Sequence, residues 1–301
     1  MELIPPNVNI DFVGNRKYAY IFTAVMIIFS LLSIPIKGHI QLGIDFSGGT
    51  VVQVKFNKQV HIEDVRTALK NLTENPIIQK FTMGEEEYLI RMEVPEESHD
   101  KLAKDVQEVL DAKFGKGSSE IRGIETVGPK VGRDLRESAI WATVVALALL
   151  LVYMVFRFTF SMGLGAIFCL IHDLIIVYGF FVWTGKEFNL TILAAMLTVI
   201  GYDINNTIVV CDRIRENLKI MKKKPLSEII NASINQTLSR TVLTSGFTLL
   251  VVVSLLFFGT NVLRDFAWAL FIGILFGTYS SIFVASPLVL ALDKYIPVKR
   301  G

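Results

Sequence analysis

Length and composition together indicate a membrane protein. The chain has 301 residues, of which 52% are hydrophobic and 19% are charged, and its mean hydropathy is +0.50. A soluble domain of this length cannot bury so much apolar surface, so soluble classes are excluded. The formal net charge of +2 gives no reason to expect nucleic acid as a partner.

The two cysteines, Cys169 and Cys211, lie in or beside apolar segments and have neither a CxxC spacing nor histidines at metal-binding spacing. They are predicted to be packing residues. The sequence therefore predicts no disulfide, no metal site and no cofactor.

Six segments are apolar and long enough, at about 20 helical residues each, to cross a bilayer. They cover approximately 18–36, 138–156, 162–183, 190–212, 239–259 and 266–290. The first follows Arg16 and Lys17 and has no small-residue cleavage site. It is therefore predicted to be a membrane span and not a signal peptide.

Basic residues are distributed unevenly among the connections between these spans. "DRIRENLKIMKKKP", after the fourth span, is rich in arginine and lysine, whereas "TGKEFN" and "GTNVLRDF" hold one basic residue each. Cytoplasmic loops carry the excess of positive charge, so both termini and the 212–237 loop are predicted to be cytosolic. The polar segment between the first two spans, about 38–136, then lies outside the cytosol, in the periplasm or the extracellular space.

The predicted organisation has five parts. They are a cytosolic segment 1–17, the first span 18–36, an external domain 37–137, five spans within 138–292 and a cytosolic tail 293–301.

The external domain reads as a ferredoxin-like α+β fold. Alternating apolar residues predict strands at 50–56, 76–83, 87–94 and 120–127, with a hairpin at Gly84–Glu87. Helical spacing predicts helices at 61–72 and 97–114. The resulting order βαββαβ is the ferredoxin-like pattern. His61 and His99 fall at exposed helix starts and predict no catalytic site, so the domain is interpreted as a binding or mechanical module.

Polar residues inside the predicted spans are the candidate functional groups, because ionisable side chains in hydrocarbon need a reason to be there. His172 and Asp173 lie mid-way along the third span, and Asp203 lies with Asn205 and Asn206 in the fourth. At about 1.5 Å per residue, Asp203 lies about 20 Å from the outer end of its span.

Arg240, near the start of the fifth span, lies about 27 Å from the outer end of that span. The two spans are antiparallel neighbours, so Arg240 and the turn at 203–206 can meet, and a carboxylate facing a guanidinium makes a proton switch. Purely structural interpretations stay open: Arg240 can extend to the headgroups, and Asn205, Asn206 and Thr207 can bond neighbouring helices. His172 and Asp173 can likewise be a structural interhelical pair.

Five strings of residues, in this order and spacing, resemble the SecF family. They are "GIDFSGGT" (43–50), "VGPKVGRDL" (127–135), "IHD" (171–173), "IGYDINNTIVVCDRIREN" (200–217) and "TLSRTVLTSG" (237–246). The resemblance covers essentially the whole chain. It implies a six-helix half of a bundle of the RND transporter superfamily, which pairs with a second half from SecD.

The resemblance also implies a function and partners. SecF works with SecD, the SecYEG channel and the SecA motor, with YajC and YidC as further candidate partners, and acts on the exported unfolded polypeptide. It implies no enzymatic activity, but use of the proton-motive force to promote late steps of translocation across the plasma membrane. "GIDFSGGT", with Gly43, Asp45, Gly48 and Gly49, would couple the first span to the external domain. Gly128 and Pro129 would form the return hinge.

One departure from the family pattern concerns the relay itself. SecF relatives usually read "GYSxND[ST]", which would put the proton-carrying Asp at position 206, paired with the arginine that matches Arg240. This chain has Asn206 there, and Asp203 stands at the usual Ser position. Three accounts are open: Asp203 has taken over as the titrating group; Asp203, Asn206 and Thr207 hold a cation such as sodium; or proton transfer is left to SecD.

A different class of function, a half-size RND-type exporter of small molecules or lipids, is the alternative. Such exporters normally carry both six-span halves and two large external domains in one chain, whereas this chain has one half and one small domain. An intramembrane enzyme is disfavoured, because the sequence contains no HExxH motif and no Ser/His arrangement at suitable depth.

Overall fold

The protein is described by a computed structural model that covers residues 8–70, 72–73, 76–80, 86–92 and 99–295. These residues form two compact units. One comprises the described residues up to Gln41 and from Trp141 onward, and the other is Leu42–Ile140. Six helices are long and apolar enough to cross a membrane. The predicted fold class, a six-helix membrane protein with a small α+β domain, is confirmed.

In chain order, the elements are α1 (Arg16–Lys37), α2 (Ile44–Ser47), β1 (Gly49–Phe56), α3 (Ile62–Leu69), β2 (Ile77–Lys80), β3 (Glu87–Met92), α4 (His99–Phe114), β4 (Ser119–Val127), α5 (Pro129–Arg157), α6 (Phe160–Thr184), α7 (Leu190–Ile220), α8 (Leu226–Phe258), α9 (Asn261–Ser280), a π-helical segment (Ser281–Ala285) and α10 (Ser286–Asp293).

The α+β unit has the predicted ferredoxin-like order βαββαβ. Its four strands form an antiparallel sheet in the order β2-β3-β1-β4. Val52, Val54 and Phe56 alternate along β1 and are buried in a core shared with α3 and α4. His61 is exposed and caps the start of α3. Residues 84–85 of the predicted hairpin, the ends of the predicted strands at 81–83 and 93–94 and the start of the predicted helix at 97–98 lie outside the described residues.

The prediction of a long 212–237 loop is wrong, because α7 and α8 continue as helices through most of it. Only Met221–Pro225 connects them. Hydropathy identifies only the apolar part of a helix, whereas Arg, Glu, Lys and Leu are all good helix formers. Asn217 of α7 fixes the two helices together: its amide donates to Ser233 Oγ at 2.8 Å and to Gln236 Oε1 at 2.9 Å.

Small residues allow α9 to lie closely against α7 at the centre of the bundle. A Cβ atom at Gly273 would lie 2.4 Å from Val199 Cγ2, and one at Gly277 would lie 1.8 Å from Asp203 Oδ1. Glycines at helix crossings of membrane proteins allow this close backbone approach. α9 also packs against α6 and α8 and is therefore the central helix of the unit.

The remaining spans differ in how much of their surface other helices cover. In the most apolar stretch of α5, 6% of the residues are buried, compared with 61% of the residues in the corresponding stretch of α6. α1 packs tightly on α6, where a Cβ at Gly179 would lie 2.4 Å from Ser30 Cβ and Trp183 Nε1 donates to Phe29 O at 3.0 Å. Cys169 and Cys211 are buried and free, as predicted.

The segment that precedes α1 is held against α8 by two asparagines one helical turn apart. Asn231 Oδ1 accepts from the backbone N–H groups of Phe12 at 2.8 Å and Val13 at 3.2 Å, and its amide donates to Ile10 O at 3.0 Å. Asn235 adds a reciprocal pair with the backbone of Ile10. Phe12 and Val13 are buried beneath these bonds, so residues 10–13 form a strap across α8.

Candidate functional site in the membrane bundle

Asp203 is the centre of the candidate site. It lies on α7 thirteen residues after Leu190, its exposed fraction is 2%, and neither carboxylate oxygen accepts a hydrogen bond from any described residue. Buried polar groups in proteins are nearly always bonded, and a group without partners calls for a functional explanation. The carboxylate lies on the bare backbone of Gly277 of α9.

A hydroxyl cluster lies one turn along α7 from this carboxylate. The amide of Asn206 donates to Ser245 Oγ of α8 at 3.4 Å, and Tyr202 Oη donates to the same atom at 3.3 Å. Thr278 of α9 donates to it at 2.8 Å. Ser245 therefore joins α7, α8 and α9 by side-chain hydrogen bonds beside Asp203.

His172 and Asp173 of α6 form a second buried group. Both are 1% exposed, and His172 Nδ1 lies 2.8 Å from Asp173 Oδ1. Ser280 of α9 donates to Asp173 Oδ2 at 2.7 Å. His172 Nε2 has no hydrogen-bond partner among the described residues. Asp203 lies against Gly277 and Asp173 is bonded to Ser280, so the two carboxylates contact the same turn of α9.

Arg240 is not part of this buried region. It is exposed on α8 and forms no ion pair with Asp203 within 4.0 Å. Thr207 is buried, whereas Asn205 is exposed on the opposite side of α7. The structure therefore brings Asp203, Asn206, Asp173 and His172 into the bundle interior and leaves Arg240 outside. Functional coupling between Asp203 and Arg240 stays a prediction.

The sequence-based search missed the residues of α9 and α8 that surround the carboxylates. These residues, Gly277, Ser280 and Ser245, carry no ionisable group. They therefore do not stand out from the sequence as candidate functional groups. A signal was present, since Gly273 and Gly277 are four residues apart in an apolar segment, a spacing typical of close helix contacts. Within the described part of the chain, no group of three or more His, Cys, Asp or Glu side chains could hold a metal ion.

A second set of predicted residues forms a tight turn in the α+β unit. Gly43 caps α2, where its carbonyl accepts from the N–H groups of Phe46 and Ser47, and Asp45 lies in the first turn of that helix. Gly48 and Gly49 follow with φ angles of +75° and +113°, a region that side chains disfavour. The two glycines therefore allow the chain to turn directly from α2 into β1.

The start of α5 lies directly against this turn. A Cβ at Gly48 would lie 2.8 Å from Pro129 Cα, and one at Gly132 would lie 2.8 Å from Gly48 N. Gly128 O accepts from Gly132 N at 3.0 Å, and Pro129 begins the helix, where its missing N–H has no consequence. The predicted coupling and return motifs are thus neighbours in space.

Arg91 of β3 also belongs to this turn, although the sequence did not single it out. Its guanidinium donates to Leu42 O and to Ser47 Oγ, and its exposed fraction is only 8%. Because a guanidinium offers several fixed donors, one side chain holds both ends of the short helix α2. The sheet is thereby joined to the turn by side-chain hydrogen bonds.

Family models match two parts of the chain. The model for the C-terminal region of protein export membrane proteins SecD and SecF matches residues 106–295. The SecD/SecF GG motif matches residues 33–60, the region that contains the turn at Gly48 and Gly49.

Individual relatives agree over nearly the whole length. The chain is 43% identical to the protein translocase subunit SecF of Rhodothermus marinus, over 98% of this chain and 96% of that one. It is 44% identical to SecF of Calditerrivibrio nitroreducens over 96% of both chains. It is 38% identical to SecDF of Thermus thermophilus over 97% of this chain and 39% of that longer one.

Solved structures show the same relationship. A crystal structure of SecDF, a translocon-associated membrane protein from Thermus thermophilus, matches with a TM-score of 0.87 at 38% identity, over 97% of this chain and 40% of SecDF. A second, super-membrane-facing form of SecDF matches with a TM-score of 0.70 at 39% identity. The resemblance noted in the sequence is confirmed, and the chain belongs to the SecD/SecF family of protein export membrane proteins, where it aligns from end to end with SecF.

Proposed function

We propose that this chain is an accessory subunit of protein export that uses the proton-motive force to promote late steps of polypeptide translocation. Asp203 is the observation that carries the ion coupling. It is a fully buried carboxylate that bonds to none of the described residues, in a span of a chain whose relatives are protein translocase subunits. An ionisable group at this depth is costly, and such groups mark ion or proton pathways.

The proposed partners follow from the lengths of the relatives. The SecDF chain of Thermus thermophilus carries further sequence beyond the 39% that this chain matches. We infer that a SecD-like chain supplies the counterpart in this system, and that the pair acts with the SecYEG channel and SecA on the exported polypeptide. YajC and YidC are further candidate partners.

The proposed topology places both termini in the cytosol of a bacterial cell and the α+β unit on the periplasmic side of the inner membrane. The support is the distribution of basic residues, which are concentrated at Arg213–Lys224, in the last turns of α7 and its connection to α8. The short connection between α6 and α7 contains Lys186, and this single lysine pairs with Asp265 at 2.5 Å.

A change of protonation at Asp203 can act on the bundle because of what the carboxylate touches. Desolvation disfavours its ionised form, so the charge state of Asp203 and its access to water are linked. Its contact with Gly277 transmits a movement of the carboxylate directly to the α9 backbone. The turn at Gly48 and Gly49 connects α1 to the α+β unit along the chain and would carry such a movement to the exported polypeptide.

The three accounts of the unusual Asp203 and Asn206 differ in what they require. A relocated relay requires Asp203 to be protonated and deprotonated. A cation site requires oxygen ligands from Asp203, Asn206 and Thr207 to surround the ion. A lost relay requires neither. We propose the relocated relay, because Asp203 is the ionisable member of the three residues and neither of its oxygens is bonded to any described residue.

Proton-driven export by the assembled complex tests this proposal. Asp203→Asn in membrane vesicles is expected to remove the part of preprotein export that depends on the proton gradient, while SecA-driven export persists. Asp212→Asn is the matched control, since Asp212 lies on the same helix but is exposed and paired with Arg157 at 2.9 Å. Unchanged export with Asp203→Asn, together with a defect from Arg240→Leu, would contradict the relocated relay.

The ion is tested by replacing sodium with potassium at a fixed proton gradient. Indifference to sodium removes the cation-site account, and a loss of activity would favour it over protons. Co-purification of a SecD-like chain distinguishes export of proteins from the alternative of a half-size exporter of small molecules or lipids. Isolation of this chain without such a partner would support the alternative.

A further inference from the structure

We propose that His172 and Asp173 form a second proton-carrying station in this chain, which exchanges a proton with Asp203 across the Gly277–Ser280 turn of α9. This inference rests on the proposed function, and it names the group inside the bundle with which Asp203 exchanges its proton. Arg240, the partner expected from the sequence, is exposed and does not face the carboxylate.

One turn of α9 brings the two carboxylates together. Gly277 lies against Asp203, and Ser280 donates to Asp173 Oδ2 at 2.7 Å. Positions 277 and 280 are three residues apart and therefore lie on the same face of the helix, with neighbouring Cβ positions about 5–6 Å apart. The two carboxylates thus lie on one face of α9, at adjacent positions.

Asp203 and His172 both have buried polar atoms that are free to form further hydrogen bonds. Both oxygens of Asp203 and His172 Nε2 are buried and have no partner among the described residues, whereas His172 Nδ1 lies 2.8 Å from Asp173 Oδ1. A neutral imidazole with Nδ1–H directed at a carboxylate leaves the Nε2 lone pair free to accept a proton. His172 is thus oriented by Asp173 and ready to be protonated.

The side chains around the two carboxylates also indicate that His172 is the group that becomes positively charged. Among the described residues of the helical bundle, no lysine or arginine is buried. The other titratable side chains beside this turn are the thiol of Cys169, which donates to Ser280 O at 3.7 Å, and the phenols of Tyr202 and Tyr279, which neighbour Asp203 and Ser280 in the sequence. None of these three groups carries a positive charge in either protonation state. The imidazole is therefore the one group in this region that can compensate a buried carboxylate by gaining a proton.

The proposed step moves one proton and conserves charge. Before it, Asp203 is a carboxylic acid, His172 is neutral and Asp173 is ionised, so the group carries one negative charge. The O–H bond of Asp203 breaks and an N–H bond forms at His172 Nε2. The products are an Asp203 carboxylate and an imidazolium paired with Asp173, and the total charge is unchanged. Release of the imidazolium proton toward the cytosolic side and reprotonation of Asp203 from the outer side then restore the starting state and complete the transfer.

The experiment uses the chain assembled with its SecD-like partner in inverted membrane vesicles and measures the proton-gradient-dependent part of preprotein export. Asp173→Asn, His172→Gln and Asp203→Asn are each expected to reduce this part by about tenfold, and the double variant Asp173→Asn/Asp203→Asn to reduce it no further, because residues that act as a unit are not additive.

Two serines provide a matched pair for the case in which a carboxylate variant fails to assemble. Ser280→Ala removes the hydrogen bond to Asp173 and is expected to reduce the proton-dependent part. Ser281→Ala alters an adjacent buried serine that donates to Thr278 O, and it is expected to have no effect. Equal behaviour of the two serine variants would contradict the proposal.

The outcomes separate this inference from the proposed function. If Asp203→Asn abolishes proton-dependent export while Asp173→Asn and His172→Gln keep it, the second station is wrong and the proposed function stands. If the double variant falls about a hundredfold, as independent sites would, the shared relay is wrong. If all three single variants keep full proton-dependent export, the proposed ion coupling itself is overturned.

Discussion

Asp203 of α7 lies so close to Gly277 of α9 that a Cβ atom at position 277 would lie 1.8 Å from Asp203 Oδ1 and 2.1 Å from Asp203 Cγ. Neither atom is the far end of a long flexible side chain, so little relief is available by rotation. The carboxylate can therefore occupy this site only because α9 carries no side chain there.

Gly277→Ala is expected to displace the carboxylate and to reduce proton-dependent export. Inserting a methyl group into a packed interior costs about 1–3 kcal/mol, so the thermal unfolding temperature of the complex should also fall. Gly201→Ala is the control, because Gly201 lies on α7 with nothing within 4 Å of the added methyl group. Equal export and stability for the two variants would show that the contact between Asp203 and Gly277 is unimportant.

Gly48→Ala is expected to destabilise the α+β unit. The loss of stability should be larger than the loss caused by the positive φ angle of residue 48 alone. An alanine in the left-handed region costs about 1–2 kcal/mol, and here its Cβ would also collide with Pro129 Cα at 2.8 Å. Gly115→Ala separates the two effects, since Gly115 has a φ of +97° but nothing within 4 Å. Protease susceptibility of the assembled chain measures the difference, and a similar loss in both variants would rule out the close approach as its cause.

Arg91→Leu is expected to loosen the turn between α2 and β1. The change removes two hydrogen bonds from a charged donor, to Leu42 O and Ser47 Oγ, and a bond to a charged group contributes about 1.5–3 kcal/mol. Hydrogen exchange over residues 42–50 should accelerate. Arg122→Leu is the control, because its ion pair with Glu120 is largely exposed and such pairs contribute about 0–1 kcal/mol. Unchanged exchange in Arg91→Leu would contradict a role in holding the turn.

Asn231→Ala is expected to release the strap at residues 10–13 from α8. Three hydrogen bonds to the strap backbone are lost, at about 0.5–1.5 kcal/mol each. Tryptic cleavage at Arg16 and Lys17 should therefore become faster in detergent-solubilised complex. Glu228→Ala, one turn away and exposed, should cleave at the original rate. Protection that survives in Asn231→Ala would mean that burial of Phe12 and Val13 alone holds the strap.

The sequence was most informative where the pattern is periodic. Alternation at Val52, Val54 and Phe56 predicted β1, and long apolar runs predicted six spans, because burial and hydrocarbon impose those patterns directly. The polar residues His172, Asp173 and Asp203 were also found from sequence, since ionisable groups are conspicuous in such runs. Periodicity does not record where a helix stops once it leaves the apolar layer, which explains the error at 212–237.

Pairing inside the bundle was much harder to predict. Depth along two adjacent helices suggested that Arg240 faces Asp203, but depth does not specify rotation about the helix axis, and Arg240 is exposed. The neighbours that matter come from α9, which begins 41 residues after the end of α7. Close contacts between distant helices depend on small residues such as Gly277 and Ser280, whose importance is apparent only in three dimensions.

The π-helical segment Ser281–Ala285 directly follows the turn that carries Gly277 and Ser280. A π-helical turn contains about one residue more than an α-helical turn. The position of this extra residue can shift to the neighbouring turn while both ends of the helix stay wound. If the extra residue shifted into the last turn of α9, Ser280 would rotate by about 100° about the helix axis and its hydroxyl would move away from Asp173. Rotation in place, rather than sliding or tilting, is thus a motion by which this bundle could connect and disconnect its two carboxylates.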